Sequence, residues 1–402
     1  MAIIRSAVSS SKSPDASTFI TLLDSGTLAT ARTQKPAFLR LFGPSSDDFP
    51  QIGRITSPFA TKGIPSAKEL RDMLLKELAQ GKADGDETPV YMPHPPIHEE
   101  GRGGLRRKTV KKEGLKEAAL NLITNIPNPT YTAPGMIPSL PSPTLEALCS
   151  DSKENPPDLL SATEISCAIL PCNTYQPLQH YSEGTTLTTL LTGTQVSIIW
   201  PPTSTNLSKL AAAYKAFART SDPSLLAITS TLEGGIALVQ RRGDTLRVPP
   251  FCPTIALATS TTVLAMYHIV PASSFLPICL KIPFLQHWWP TETRGDEKRA
   301  AFGEALLDCM ARIMDCEFES YAVTDVAHGL DTPGPLLELV RNWDVVKGDV
   351  LAVMGEAERA EVARKWIALL SQSSGMHCLI CKKWMRTKEK DIPKHFMSSH
   401  WV

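Results

Sequence analysis

Between Glu164 and Ile269 the chain is cut into short apolar runs closed by turn residues, and this pattern limits the fold more than any other feature. The runs are Glu164 to Leu170, Thr185 to Leu191, Gln195 to Trp200, Ile236 to Gln240, Thr245 to Val248, Ile255 to Ala258 and Thr262 to Ile269. Each is rich in Val, Ile, Leu and Thr and has the length of a strand rather than a helix. Such a series predicts an all-β sandwich or barrel. One helix, Leu207 to Ala218, is inserted among them, with Leu207, Leu210, Ala211, Tyr214 and Phe217 at helical spacing and Asn206 as its expected cap.

The flanks read as helical. Thr18 to Leu28 predicts a short helix carrying Phe19, Leu22 and Leu23. Ser66 and Glu69 form the two halves of a capping box before a stripe of Leu70, Met73, Leu74 and Leu78, with Gly81 as the stop. Beyond the strands come three more stripes: Phe302, Leu306, Cys309, Met310 and Ile313; Leu336, Leu339, Val340 and Trp343 after Pro335; and Val362, Trp366, Leu369 and Leu370. Stripes of this kind are core faces. From Glu87 to Pro143 ten prolines make most of the segment loop or extended chain.

Charge excludes little, because 41 Lys and Arg balance 41 Asp and Glu, so any electrostatic partner must be met locally. The local excess nearest the prolines is Arg106, Arg107, Lys108, Lys111 and Lys112. It suits a nuclear-import signal or a phosphate-contacting patch, and equally a solvated loop. No run of about 18 apolar residues is present to span a bilayer, so no membrane partner is expected. An odd count of nine cysteines, without the long apolar core of a secretory signal, predicts a reducing, intracellular setting.

The most specific spacing lies at the end. Cys378 and Cys381 are separated by two residues, thirteen residues follow, and His395 and His400 are separated by four. Two thiolates on a turn and two imidazoles on a helix converge as the tetrahedral set that Zn²⁺ prefers. The pattern resembles the C2H2 zinc finger, which implies a small ββα fold around structural zinc. Lys382, Lys383, Arg386, Lys388, Lys390 and Lys394 outnumber Glu389 and Asp391, a balance suited to DNA or RNA phosphates. Pro393 is expected to make the helix start late. A single finger spans only about three base pairs, so phosphate contact or protein docking is expected rather than sequence reading.

Two phrases among the strands resemble the jumonji-C (JmjC) branch of the cupin fold. They are Leu190 to Pro202, ending in Trp200-Pro201-Pro202 before a helix, and Gln240 to Pro250, with Gly243-Asp244 leading into Val248-Pro249-Pro250. The resemblance implies a double-stranded β-helix (cupin/jelly-roll) barrel flanked by helices, an α+β protein once the zinc finger is added. It also implies oxidation by Fe(II) and 2-oxoglutarate, which needs two His and one acid on neighbouring strands. Counting from the landmarks, the first pair falls on Leu178 and His180, or in the other register on Gln179 and Tyr181, and the last His falls on Thr254. Neither register supplies the ligands, so iron, 2-oxoglutarate and catalytic residues are not expected. The rival is an active oxygenase with relocated ligands His180, Glu183 and His268.

The expected organisation is an N-terminal part over 1–60, a capping-box helix over 61–86, a proline-rich basic connection over 87–160, the JmjC-like barrel over 161–290, helices over 291–372 and the finger over 373–402. The expected function is that of a non-catalytic nuclear regulatory or chromatin-associated protein with protein partners. A finger-bearing interaction protein without a chromatin role is the third reading.

Overall fold

A computed structural model describes residues 2–9, 16–25, 29–30, 59, 62–80, 90, 112–149, 159–180, 182–220, 224–292, 294–315, 317, 334–372 and 376–401. The fold is mixed α+β, with largely antiparallel sheets and many helices. In chain order the described strands are β1 (Ala29–Thr30), β2 (Ile137–Pro141), β3 (Leu159–Ala162), β4 (Ser166–Leu170), β5 (Tyr175–His180), β6 (Thr185–Thr192), β7 (Thr194–Ile199), β8 (Ile236–Arg241), β9 (Thr245–Val248), β10 (Pro253–Ala258) and β11 (Thr262–Pro271). The helices are α1 (Ala2–Ser9), α2 (Ala16–Asp24), α3 (Ala67–Gln80), α4 (Lys112–Thr124), α5 (Pro143–Cys149), α6 (Ser204–Thr220), α7 (Phe275–Cys279), α8 (Ile282–Trp288), α9 (Gly295–Met314), α10 (Pro335–Ala352), α11 (Glu356–Gln372) and α12 (Lys388–Ser399).

Two compact units divide the chain. The first comprises Met1–Glu154, Thr163–Leu210 and Pro223–His268; the second comprises Asn155–Ala162, Ala211–Asp222 and Ile269–Val402.

In the first unit one sheet has the order β1-β8-β7-β10-β5 and the other the order β2-β4-β11-β6-β9. All the predicted runs form strands, and β9 has the predicted bounds. The sequence pattern did not single out β2 and β5, because both carry proline: Pro138 and Pro141 in one, Pro177 in the other. Each stands last in its sheet, where a missing N–H deprives no further neighbour of a hydrogen bond. Part of the expected connection over 87–160 is likewise core. Residues 97–126 contain no proline, so α4 can form, and its Ile123 packs with Ile126, Ile137 and Leu145 against Phe59, Leu70, Leu74 and Ile169. Fully burying each such side chain contributes about 1.5–3 kcal/mol.

Local signals act as their chemistry requires. Ser66 N donates to Glu69 Oε2 at 2.7 Å and Glu69 N to Ser66 Oγ at 3.3 Å, closing the capping box of α3. Asn206 is not the cap of α6. The helix starts earlier, at Ser204, with Thr203 Oγ1 accepting from Asn206 N at 3.2 Å. The buried Asn206 amide donates to Pro201 O and Glu233 O and accepts from Glu233 N, so it ties two loops together. Gly193 turns β6 into β7 at φ 82°, and a Cβ there would lie 2.3 Å from Thr261 O, so only glycine fits. Gly243, at φ 92°, opens the turn into β9, and Asp244 fixes it by accepting from Arg241 N at 2.7 Å.

The second unit is mainly helical. The three predicted stripes fall on α9, α10 and α11, and all their members are buried except the half-buried Phe302, which packs on Trp289. Pro335 occupies the first turn of α10, where its missing N–H costs nothing. Strand β3 receives a hydrogen bond from Arg312 of α9 at Leu160 O. The α11 helix packs on both α9 and α12, bringing the C-terminal segment onto the helices.

Candidate metal centre

The centre grows out of a tight hairpin followed by α12. Met385 N donates to Met376 O, Cys378 N to Lys383 O at 2.9 Å and Lys382 N to Cys378 O at 2.8 Å. The reversal places Cys378 and Cys381 beside the turn, with Lys382 left-handed at φ 61°. Pro393 does not delay the helix, which begins at Lys388 and runs through the proline. The first turn is closed instead by Asp391, whose N donates to Thr387 O and whose Oδ2 accepts from Thr387 N, each at 2.8 Å. The proline forfeits one backbone hydrogen bond within an otherwise regular helix.

His395 lies inside α12 and His400 just past it. Five residues on an ideal helix would set the two rings about 140° apart around the axis. His400 leaves the helix at φ −124°, ψ −5°, and its ring returns to face His395, with the two Nε2 atoms 3.2 Å apart. Cys381 Sγ is 3.2 Å from His395 Nε2, and Cys378 Sγ is 3.6 Å from His400 Nε2. All four donor atoms lie within 4.8 Å of one another, close enough to hold one metal ion. Cys378, His395 and His400 are buried, whereas Cys381 is exposed.

The surroundings orient these donors. Nδ1 of His400 lies 2.9 and 3.0 Å from the two carboxylate oxygens of Asp344 on α10, and Lys347 reaches the same carboxylate at 3.1 Å. Trp343 Nε1 donates to His400 O at 2.9 Å, and Trp366 stacks on Phe396. Nδ1 of His395 faces Ser399 Oγ at 3.3 Å. Burial pushes the Cys378 thiol up from its ordinary value. Burial, with the charges of His400 and Lys383, pushes the His395 imidazole down. Burial would raise Asp344, but hydrogen bonds from His400 and Lys347 outweigh it and hold the carboxyl below its usual range. The Cys378 thiol must therefore lose its proton when a metal enters.

The sequence-predicted ligands Cys378, Cys381, His395 and His400 are thus brought together. Lys382, Lys383, Arg386, Lys390 and Lys394 are exposed, and none is ion-paired with a described residue; the Lys388 side chain is outside the described set. Arg106, Arg107, Lys108 and Lys111 lie outside the described residues, and Lys112 opens α4. Spacing gave no hint of Asp344 or Trp343, which contribute from another helix. Trp384, 55% exposed in the hairpin beside Lys383, was also not singled out.

The family-derived iron positions are also described, except Tyr181, which lies outside the described residues. Leu178 and His180 lie on β5 and Thr254 on β10, which pair with Thr254 opposite Gln179 and Pro253 opposite His180. Leu178 and Thr254 are buried, but neither side chain can replace an imidazole or carboxylate, so the residues at those positions do not fit an iron triad. Of the relocated set, His180 stacks on Phe251 and lies 3.7 Å from Glu183, while His268 Nδ1 is 2.8 Å from Thr186 Oγ1. Among the described residues, the C-terminal set alone brings three or more such donors within metal-binding distance of one another. Of the cysteines with apolar neighbours, Cys149, Cys167, Cys252, Cys279 and Cys309 are buried, Cys172 is half-buried and Cys316 lies outside the described residues; burial pushes Cys279 up to about 12.

No family model matches the sequence, and no curated protein matches it. Among solved structures there is a match to the crystal structure of Drosophila melanogaster CENP-C bound to CAL1, at 8% identity, covering 26% of this chain and 60% of that one. Its TM-score of 0.18 carries no argument about fold or partner.

Proposed function

We propose that Cys378, Cys381, His395 and His400 hold one structural zinc ion in a C2H2-type finger, and that the protein is a non-catalytic scaffold rather than an oxygenase. The carrying observation is the spacing of the donors. Zinc with Zn–S near 2.3 Å and Zn–N near 2.0–2.1 Å gives tetrahedral edges of about 3.5 Å between S and N and about 3.3 Å between two N. The corresponding separations here are 3.2 and 3.6 Å for S to N and 3.2 Å for N to N. Bound zinc supplies a four-point cross-link and leaves no open position for chemistry.

On this reading the first unit is a double-stranded β-helix of the JmjC type that has lost its iron ligands, and its role is recognition of a protein partner. The strand pairing of β5 with β10 and the glycine turns at Gly193 and Gly243 support it. The exposed cations around the hairpin support docking onto nucleic-acid phosphates in a nuclear, regulatory setting. The relocated oxygenase set is disfavoured because, among the described residues, His180, Glu183 and His268 do not bring their donor atoms within metal-binding distance of one another.

Metal analysis of purified protein tests this. We expect one zinc per chain, lost in Cys378→Ser, and no retained iron after anaerobic reconstitution. Stoichiometric iron abolished by His180→Ala would overturn the non-catalytic reading. Salt-dependent binding to DNA or RNA, weakened by replacing Lys382, Lys383 and Arg386 with Gln, is expected; salt-independent binding would assign the surface to protein docking.

A further inference from the structure

We infer that Asp344, on α10, is a positioning residue for the metal centre, so that a helix outside the finger helps to orient one of its metal ligands. The inference rests on the zinc reading above. Imidazole can bind a metal through either ring nitrogen, and the partner of the other nitrogen decides which one is free. Both Asp344 oxygens lie at hydrogen-bond distance from His400 Nδ1, at 2.9 and 3.0 Å. The proton therefore sits on Nδ1, and the Nε2 lone pair points at Cys378 Sγ and His395 Nε2, 3.6 and 3.2 Å away.

The remaining contacts fix both partners. Lys347 Nζ holds Asp344 from one side at 3.1 Å, and the Trp343 indole pins the His400 carbonyl at 2.9 Å. Two neighbouring residues of α10 thus set the backbone and the ring of one ligand. His395 has only a hydroxyl behind its Nδ1, at 3.3 Å. The carboxylate makes His400 the more firmly oriented of the two imidazole donors.

Outer carboxylates of this kind change metal affinity by about 10–100-fold. Asp344 is 43% exposed, so water competes for it and the lower end, about tenfold, applies. The test uses full-length protein loaded with zinc and titrated with a chromophoric chelator. Asp344→Asn is expected to weaken zinc about tenfold and Asp344→Glu to restore part of the loss. The metal-free forms are expected to differ from the wild type in denaturant midpoint far less than the zinc-loaded forms do, which a purely structural role would not allow. Histidine ¹⁵N NMR of the unaltered zinc-loaded chain asks the same question without a substitution, and a protonated Nδ1 with a metal-bound Nε2 on His400 is expected. Equal affinity in wild type and Asp344→Asn, or metal on Nδ1 of His400, would overturn the role of Asp344 while leaving the zinc centre standing. A wild-type chain that binds no zinc would instead remove the centre itself.

Discussion

The indole Nε1 of Trp343 donates to the carbonyl of His400 at 2.9 Å, and both residues are buried. Its neighbour Trp366, 4.9 Å away between ring centroids, has an equally buried Nε1 that finds no acceptor among the described residues. The two indoles should respond differently to the same substitution. Trp343→Phe leaves a buried carbonyl unpaired, costing about 1–3 kcal/mol beyond lost packing, whereas Trp366→Phe loses packing only. Urea unfolding of the zinc-loaded protein should give the lower midpoint for Trp343→Phe; the reverse order would show that this hydrogen bond is not made in solution.

Removing zinc should destabilise the second unit selectively. Metal that binds the folded state and not the unfolded one adds its binding free energy to folding. With excess chelator, hydrogen exchange should rise through α12 and the end of α11 that packs on it, while β6 and β7 keep their protection. Uniform protection with and without metal would show that the ion is not structural.

Gly193→Ala should weaken the first unit. The left-handed backbone costs about 1–3 kcal/mol for a residue with a side chain, and the 2.3 Å approach to Thr261 O adds a backbone clash. Gly243→Ala meets only Ile64 at 3.6 Å and should cost less. Thermal unfolding of the two variants compares them directly.

Acid should destabilise the first unit in two stages. Burial lowers His268 from its ordinary value of 6.5, an effect only partly offset by the Glu183 charge. The unfolded chain then takes up that proton first, so stability falls as pH drops below 6.5. Glu183 is lowered from 4.5 because, although burial raises it, the hydrogen bond and charge of His180 prevail. Its contribution is present above 4.5 and is lost as pH falls through the folded value. Urea midpoints across this range should flatten in the upper stage for His268→Asn and in the lower stage for Glu183→Gln. An unchanged profile in both variants would locate acid sensitivity elsewhere.

Much of this architecture was legible because local chemistry and the fold agree. Alternating β-branched runs became strands, Ser66 and Glu69 closed their capping box, and the four metal donors met. The sequence signals failed where position in a sheet or a distant element decided the outcome. Pro177 argues against a strand unless that strand is at an edge, and nothing local says that it is. Asn206 has the composition of a cap, but its amide is held by Glu233, 27 residues away. Asp344 looks like an ordinary helix carboxylate until His400 is brought beside it, and the basic side chains around Lys382 carry no mark of their partner.

The spacing of the metal donors along the chain also orders assembly. Cys378 and His400 are 22 residues apart, whereas Asp344 and His400 are 56 apart. Closing the shorter loop costs less chain entropy, though the difference grows only slowly with length. Capture of the ion by the four donors can therefore precede docking of α10, so the metal would nucleate the C-terminal end and the carboxylate would lock it afterwards. A two-step recovery of metal-free protein after zinc is added, with a fast change in the ligands and a slower one in Trp343 fluorescence, would be its kinetic trace.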